Sequence, residues 1–290
     1  MKYSDKIYGG VEFTGVIKEL INTSVFQRLK RIHQGGAIFL VNPKINHTRF
    51  EHSIGVMLLI KKIGGSIEEQ VAGLIHDISH TAFSHLIDYV LEIEEEDYHE
   101  NRFEEVLRDK ELNSVLKKYQ LDINKFIEIE SYQLLEYPLP NLSADRIDYT
   151  LRDLFQIGEI SIKEILWFLS GLKIVDNRIV LISEEHGKWF QSKYEFLVSE
   201  YFGGKQNKEV NILMKKIVKD CLTKRIIQEE DFHQDDFYLI DKINRSVNLK
   251  KMIGEIGKIG IDNGKFIQKK RKVDPEILVD NRVLKLSEIS

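Results

Sequence analysis

The sequence predicts a mainly α-helical protein with a small strand-containing appendage near its C-terminus. Three observations support this fold class: apolar residues recur at helical spacing over most of the chain, only four prolines occur in 290 residues, and strand-like alternation is confined to 172–182 and to the residues beyond 264. We therefore divide the chain into a helical core, residues 1–230, and a C-terminal extension with short strands, residues 231–290.

The first predicted helices lie in the N-terminal quarter of the chain. Apolar residues at helical spacing predict a helical segment over Phe13–Ile32 and another over Arg49–Ile63, which stops at two glycines. Ser66 and Glu69 form a Ser-x-x-Glu capping box, so a further helix should begin there. Its apolar positions continue up to His76 and Asp77, and the sequence therefore predicts that this dipeptide lies on a helix.

The second half of the chain alternates between helix and strand patterns. A helix is predicted over 142–157, capped by Asn141 or Ser143 and closed by Gly158. Alternating residues around Asp176-Asn177 predict a short hairpin at 172–182, after which helices return at about 184–202 and 207–228. In the extension, strand-like runs occur at 265–267 and 277–279, with turn signals at Pro275 and at 280–281.

The composition excludes several classes of protein. The formal charge of -4 gives no general attraction to nucleic acid or anionic lipid. A single cysteine, Cys221, cannot form an internal disulfide, and no apolar run is long enough for a membrane span or a signal peptide. We therefore expect a cytoplasmic protein without a membrane partner.

Histidines are concentrated in one part of the chain. Seven of the nine lie within residues 33–99, whereas His186 and His233 fit ordinary core or surface positions. Histidine is the commonest metal ligand and the side chain that titrates near neutrality. The concentration therefore indicates a site for metal binding, proton transfer or both.

The order histidine, histidine-aspartate, aspartate suits one divalent metal. Mixed imidazole and carboxylate ligands favour Fe, Mn, Zn, Co or Ni over Ca, without a choice among them. Such a metal would keep positions for a phosphate oxygen and a water, which suits phosphate-ester hydrolysis, and Mg²⁺ could accompany the substrate phosphates. The four candidate ligands are His52, His76, Asp77 and Asp145.

Further charged and titratable residues surround this set. His80, His85 and His99 are candidates for protonating a leaving oxygen or for holding phosphate oxygens. Arg49, three residues before His52, brings a fixed positive charge that a phosphate chain would need. The sequence alone leaves surface ion pairing of Arg49 open.

These residues form a series of motifs that resembles the HD-domain phosphohydrolases, and specifically their deoxynucleoside triphosphate triphosphohydrolase branch. The agreement runs in order over residues 26–153. The motifs are Gln27-Arg28-Leu29 with Ile32 and Gln34, Asn46-His47, Arg49-Phe50-Glu51-His52-Ser53 with Gly55, His76-Asp77 with His80, Phe83-Ser84-His85, His99-Glu100, and Asp145-Arg146 with Asp148-Tyr149 and Arg152-Asp153.

The resemblance implies a role for each matched residue. It makes His52, His76, Asp77 and Asp145 the metal ligands. The implied catalytic residues are His80, His85 and His99, with Asp88 orienting His85. The implied substrate contacts are Arg49 for phosphate, Tyr149 and Asp153 for the sugar and its 3′-hydroxyl, Gln34 for the sugar edge, and Lys193 and Tyr201 for phosphate and sugar.

Three departures from the family pattern bear on specificity. Gly35 follows Gln34 where vertebrate-type members have leucine, so exclusion of a 2′-hydroxyl should be weaker. Lys193 in place of arginine keeps the charge and loses the bidentate fork. The chain shows no recognisable regulatory nucleotide site, so a homo-oligomer is compatible with the sequence but is not implied by such a site.

The first functional hypothesis is therefore a metal-dependent hydrolase that converts a nucleoside triphosphate, preferably a deoxynucleotide, into nucleoside and tripolyphosphate. A second enzyme hypothesis keeps the metal site and changes the substrate to a nucleoside monophosphate or another phosphorylated small molecule. A nucleic-acid-binding or nuclease-like protein is a third hypothesis, based on the basic run 269–272, which more often is a solvated tail.

Overall fold

Residues 1–254 and 271–289, which the computed structural model describes, form fourteen α-helices and six short strands. The helices are α1 Gly15–Ile21, α2 Ser24–Arg28, α3 Arg49–Ile63, α4 Ile67–Ile75, α5 Leu86–Leu91, α6 Phe103–Leu107, α7 Lys110–Lys118, α8 Ala144–Ile157, α9 Ile162–Ser170, α10 Glu184–Phe196, α11 Lys205–Thr223, α12 Asp236–Asn244, α13 Leu249–Ile253 and α14 Leu286–Ile289. The strands are β1 Lys2–Asp5, β2 Gly9–Glu12, β3 Leu172–Val175, β4 Arg178–Leu181, β5 Glu276–Val279 and β6 Arg282–Lys285. The predicted mainly α fold class is confirmed.

Helix α3 is the centre of the core, and it packs against α4 and α8. It is buried along most of its length because apolar residues occur on every side of it. The Glu51 carboxylate accepts the Thr48 backbone N–H at 2.8 Å, which caps the helix start, and Gly64 ends the helix with a left-handed φ of 99°. The predicted helix over Arg49–Ile63 is confirmed with the same bounds.

The predicted continuous segment over 13–32 is wrong in one respect, because the chain breaks it at Asn22 and Thr23. Thr23 is extended and its side chain accepts the Phe26 backbone N–H, which starts the new helix α2. A three-residue 3-10 turn follows α2. The apolar spacing continues across the break because both short helices bury their apolar residues in the same core.

Helix α4 begins at the predicted capping box, in which Ser66 and Glu69 exchange hydrogen bonds. It ends at Ile75, one residue before the metal motif, and His76 is its C-cap. The prediction that His76 and Asp77 lie within a helix is therefore corrected, and His80 does not lie one helical turn further on. The chain instead turns after His76, which brings His80 back towards Asp77.

The later elements follow the predicted order. Ser143, rather than Asn141, caps α8 by accepting the Arg146 backbone N–H at 3.2 Å, and Gly158 ends the helix with a φ of 80°. The predicted hairpin at 172–182 is confirmed as β3 and β4. Strand β5 pairs in parallel with β4, so the two hairpins form one four-stranded sheet in the order β3-β4-β5-β6.

Two parts of the sequence-based account remain without a structural outcome. The strand-like run at 265–267 and residues 269 and 270 of the basic run lie outside the described residues. The division of the chain at residue 230 stays a prediction.

Candidate metal centre and substrate cavities

The four predicted metal ligands come from the helices that form the core. His52 lies on α3, Asp145 lies in the first turn of α8, and His76 and Asp77 follow the end of α4. His52 Nε2 is 2.8 Å from Asp145 Oδ1, and His76 Nε2 is 3.6 Å from the same oxygen. Asp77 places Oδ1 3.5 Å from His76 Nε2 and Oδ2 3.7 Å from His52 Nε2. The structure therefore brings all four side chains together around one point.

Hydrogen bonds hold both imidazole rings in orientations that suit metal binding. His52 Nδ1 donates to Asp148 Oδ2 at 2.9 Å, and His76 Nδ1 donates to the Gly73 carbonyl at 2.9 Å. Each ring therefore directs its Nε2 towards the carboxylates, as ligating histidines do. His76 Nε2 is buried and has no hydrogen-bond partner within the described part of the chain. A buried acceptor of this kind fits a metal ion.

The electrostatics of the centre favour a positive charge. Burial alone would lower the pKa of His52, but the carboxylates of Asp145 and Asp148 raise it to about 10. Burial would raise the pKa of Asp77, yet the adjacent Arg49 guanidinium and histidines hold it well below its usual value. The carboxylates thus keep a proton on His52, and a divalent ion would supply positive charge at the same place.

Asp148, which had no predicted role, connects His52 to a buried ion-pair chain. Arg152 donates to the two Asp148 oxygens at 2.9 and 3.0 Å and to Asp5 Oδ2 at 3.1 Å. Helix α8 can approach α3 this closely because residue 55 is glycine, where a Cβ atom would lie 2.1 Å from Asp148 Oδ1. The ion-pair chain of Asp148, Arg152 and Asp5 therefore fixes the orientation of the His52 ring on its Nδ1 side.

The three predicted catalytic histidines lie beside the metal ligands. His80 Nε2 is 3.3 Å from Asp77 Oδ1, and the rings of His80 and His99 stack with centroids 3.7 Å apart. Burial, with Arg49 nearby, lowers the pKa of His80 well below its usual value, and burial with His85 nearby lowers that of His99 to about 3. These two histidines are therefore neutral at pH 7.

His85 differs from the other two histidines in its exposure and in its partner. Its side chain is 36% exposed, and Nδ1 lies 3.1 Å from Asp88 Oδ2. The Tyr98 backbone N–H donates to the other Asp88 oxygen at 3.0 Å, so the carboxylate is held in place. The predicted pairing of Asp88 with His85 is present.

The loop before His85 is held by residues far away in the sequence. Phe83 and Ser84 both have a left-handed backbone, with φ of 57° and 52°. Asp236 fixes this turn by accepting the Phe83 backbone N–H at 2.5 Å, and it also accepts from the His33 ring at 2.7 Å. Ser84 Oγ in turn accepts Arg49 Nε at 3.0 Å. The loop thus positions both Arg49 and His85.

Two cavities adjoin the metal centre. The smaller has a volume of about 590 Å³ and the larger about 980 Å³. Predicted site residues lining the smaller are Gln34, Arg49, His85, Asp145, Tyr149, Asp153 and Tyr201. Those lining the larger are Arg49, His76, Asp77, His80, His85, His99 and Asp145. Because both cavities include Arg49, His85 and Asp145, they meet at the metal centre.

The smaller cavity contains buried polar groups that lack partners. Gln34 Oε1 and the Tyr201 hydroxyl have no hydrogen-bond partner within the described residues, which is unusual for buried polar atoms. Asp153 Oδ1 lies 3.2 Å from His47 Nε2, and burial raises the pKa of Asp153 to about 7. These groups could donate to or accept from the hydroxyls of a bound ligand.

Lys193 is the predicted site residue that the structure does not bring into this region. Its ammonium is 3.0 Å from Glu159 Oε1, and Lys193 is not among the described residues that line the two cavities.

Arg146 and Arg271, by contrast, line both cavities without having been predicted. Glu136, also missed, lines the larger cavity, where burial and the neighbouring Asp145 raise its pKa well above the usual value.

One sequence signal could have identified some of these residues. Arg146 and Asp148 stand within the matched motif around Asp145, and Asp148 follows Asp145 at the i, i+3 spacing that places two side chains on one helix face. Arg271 lies 126 residues after Asp145 by sequence number, and its run Arg271-Lys272-Val273-Asp274-Pro275 resembles the C-terminal segment of bacterial family members only weakly, without an implied role for Arg271.

Comparisons with known proteins agree with this geometry. The family model for the HD domain matches residues 49–153. The uncharacterized protein YdhJ of Bacillus subtilis is 42% identical over 301 aligned residues, covering 100% of this chain and 92% of that protein. A crystal structure of a hypothetical protein from Aquifex aeolicus has a TM-score of 0.73 at 22% identity, covering 100% of this chain and 92% of that one, which shows a shared fold.

Two relatives with functional names match over part of their length. The metal-dependent phosphohydrolase cns2 of Cordyceps militaris is 38% identical over 58% of this chain and 49% of its own length. A deoxynucleoside triphosphate triphosphohydrolase SAMHD1 homolog of Dictyostelium discoideum is 29% identical over 63% of this chain and 41% of its own. No helix in residues 1–254 and 271–289 is long and apolar enough to cross a membrane. The matched domain, the relatives and the convergent ligands identify the chain as a member of the HD-domain family of metal-dependent phosphohydrolases.

Proposed function

We propose that the protein hydrolyses deoxynucleoside triphosphates to deoxynucleoside and tripolyphosphate. One observation carries the proposal: a cavity of about 590 Å³ with buried, unpartnered polar groups opens directly onto Arg49 and Asp145 of the metal centre. Such a cavity suits a nucleoside whose phosphates reach the metal. The relative named a deoxynucleoside triphosphate triphosphohydrolase is in keeping with this substrate.

The proposed reaction is a direct hydrolysis. The oxygen of a water bonds to the α-phosphorus, the bond between that phosphorus and O5′ breaks, and O5′ takes a proton to become the nucleoside hydroxyl. A divalent metal held by His52, His76, Asp77 and Asp145 would supply Lewis-acid polarisation of the phosphate and a lowered pKa for the attacking water. Fe, Mn, Zn, Co and Ni all suit this ligand set.

Three side chains of the protein would assist this reaction. His85 lines both cavities, and the Asp88 carboxylate orients its ring through Nδ1, so His85 is placed to give a proton to O5′. Arg49, held by hydrogen bonds to Asp77 at 2.7 Å and to Ser84, presents a fixed positive charge to the phosphate oxygens.

The sugar would lie among the polar groups of the smaller cavity. Tyr149 and Asp153 are suited to hold the sugar hydroxyl, and Gln34 and Tyr201 to contact the sugar edge. Gly35 lines the same cavity, and the Tyr201 hydroxyl lies only 3.2 Å from the position that a Cβ atom at residue 35 would take. Tyr201 therefore occupies part of the space that a larger residue 35 would fill.

A second substrate class is favoured by the charge of the larger cavity. Six glutamates line it: Glu95, Glu96, Glu100, Glu128, Glu130 and Glu136. Apart from Glu136, whose raised pKa favours a neutral carboxyl group, these side chains repel a bare phosphate chain. The cavity therefore suits either phosphates neutralised by Mg²⁺ or a substrate with a single phosphate. A nucleoside monophosphate or another small phosphomonoester is therefore the second candidate.

The two candidates are separated by product analysis. Protein reconstituted with each of Fe, Mn, Zn, Co and Ni would be incubated, with and without Mg²⁺, with ribo- and deoxynucleoside triphosphates and monophosphates. We expect deoxynucleoside and tripolyphosphate in equal amounts, and none from the His76→Ala variant. Release of inorganic phosphate from monophosphates, with triphosphates left intact, would establish the second class instead.

A further inference from the structure

Arg271 belongs to the C-terminal extension, yet its side chain lines both cavities at the metal centre. The extension is fixed beside the site, because the Asp274 backbone N–H donates to the Pro140 carbonyl at 2.8 Å. Pro138 and Leu139, in the same loop as Pro140, line the larger and the smaller cavity respectively. The position of Arg271 is therefore set by the packing of the extension against a wall of the site.

A buried carboxylate orients the Arg271 guanidinium. Arg271 Nη2 donates to Glu96 Oε2, and the Glu96 side chain is only 9% exposed. Glu96 also lines both cavities, and it precedes His99 by three residues. A guanidinium has five N–H donors in a planar fork, so one carboxylate oxygen does not use them all. The pair keeps the arginine charged and aimed at the junction of the cavities.

Two other arginines line the same junction, and within the described residues each donates more hydrogen bonds to the protein than Arg271 does. Arg49 is paired with Asp77 at 2.7 Å. Arg146 donates through Nη1 to the carbonyls of Tyr137 and Asn141, at 3.0 and 2.6 Å. Arg271 is thus well suited to contact a ligand that extends beyond the metal-bound phosphate.

We propose that Arg271 binds the phosphate chain of the substrate where the two cavities meet at the metal centre. This inference rests on the proposed triphosphate substrate and names a phosphate-binding residue for it. Because glutamates line the larger cavity, a polyphosphate that enters it needs a cationic partner facing it, and Arg271 is in place for that role. Lys193, which pairs with Glu159, is not placed to be that partner.

The test compares Arg271→Ala and Arg271→Lys with a neighbouring control, Lys272→Ala, whose side chain is exposed. Three quantities would be measured on each metal-loaded protein: the inhibition constant of inorganic tripolyphosphate against dGTP hydrolysis, the KM for dGTP, and the Kd of deoxyguanosine by calorimetry. Bound metal and the thermal unfolding temperature would be recorded to confirm that each variant is folded.

Loss of one charged hydrogen-bond partner should weaken tripolyphosphate inhibition and raise KM by roughly 10- to 100-fold in Arg271→Ala. Arg271→Lys should be intermediate because it keeps the charge and loses the fork. Deoxyguanosine binding should not change in either variant, and Lys272→Ala should match the parent throughout.

Three results would overturn the inference, and they differ from one another. Parent-like tripolyphosphate inhibition in Arg271→Ala, with dGTP hydrolysed by the parent, would refute the role of Arg271 alone. Weakened deoxyguanosine binding with unchanged tripolyphosphate inhibition would make Arg271 a nucleoside contact. A parent protein that neither hydrolyses dGTP nor binds tripolyphosphate would refute the proposed function, and the role of Arg271 would fall with it.

Discussion

Replacing Asp148 by asparagine should weaken metal binding and also destabilise the folded protein. Asp148 is fully buried and faces two donors, the His52 ring and the Arg152 guanidinium. An amide has one acceptor oxygen, so it can satisfy only one of them and must present its NH₂ group to the other. If the NH₂ group faces His52, Nδ1 becomes an acceptor and the proton moves to Nε2, where it blocks metal binding.

The structure sets the expected size of both effects. Weakening the support behind a ligating histidine typically costs 10- to 100-fold in metal affinity. Disrupting a buried ion pair at one partner costs about 3–5 kcal/mol of stability, and Arg152 would retain only Asp5 from its present carboxylate pairs. Asp148→Asn should therefore bind metal 10- to 100-fold more weakly and unfold at a lower urea concentration.

Asp5→Asn provides the matched control for this prediction. Asp5 accepts Arg152 at 3.1 Å through Oδ2 and the Ile7 backbone N–H at 2.8 Å through Oδ1, without contacting His52. Its replacement should destabilise the protein to a similar degree while metal affinity stays at the parent value. Affinity would be measured by competition with a chelator, and stability by urea unfolding of the metal-free proteins, since metal binding itself adds stability. Parent affinity in Asp148→Asn, or an equal loss in Asp5→Asn, would refute the reasoning.

Three further predictions concern catalysis, specificity and pH. His85→Ala should retain its metal and lose roughly 10²- to 10⁴-fold in kcat, with a smaller loss in Asp88→Asn; an unchanged kcat would exclude proton transfer by His85. The parent preference for dGTP over GTP in kcat/KM should be below about 200-fold, and a preference of several thousandfold would contradict this. Gly35→Ala should lower kcat/KM for both substrates, because its Cβ would lie 2.8 Å from Ile38 Cγ2 and 3.2 Å from the Tyr201 hydroxyl, so the cavity wall would have to shift. In metal-free protein, burial raises the pKa of Asp153 to about 7, so native Asp153 keeps a proton that the unfolded chain releases above the ordinary aspartate pKa of 3.8. Stability should therefore fall as pH rises from about 4 to about 7, by at most about 4 kcal/mol, and this part of the slope should vanish in Asp153→Asn; parallel urea-unfolding profiles for parent and variant would argue against it.

The helices of the core could be predicted where local signals mark their ends. The helix from Arg49 to Ile63 has a capping residue before it and Gly64 after it, and both signals act within a few residues. No such signal indicates the end of α4, because neither glycine nor proline immediately follows Ile75. There the chain turns to bring His80 within 3.3 Å of Asp77, and that contact is tertiary.

The metal ligands could be predicted because their residue types and order are distinctive, whereas the charges around them could not. Asp5 and Arg152 are 147 residues apart and meet only because β1 lies next to α8 in the folded chain. Asp236 reaches Phe83 across 153 residues, and Arg271 reaches Glu96 across 175. Asp5 and Asp236 stand outside the matched motifs, and aspartate is common at protein surfaces, so nothing in their own sequence neighbourhoods distinguishes these two buried partners.

The hydrogen bond that Asp236 accepts from the Phe83 backbone affects the order in which parts of the site fold. The ligands His52 and Asp145 lie on packed helices within the first 157 residues, and His76 directly follows the end of α4. The strained turn before His85 cannot persist until residue 236 has folded against it, and contacts of such long sequence separation form late. We therefore expect the turn before His85 to take its final form only after α12 has packed against it, later than the helices that carry His52 and Asp145.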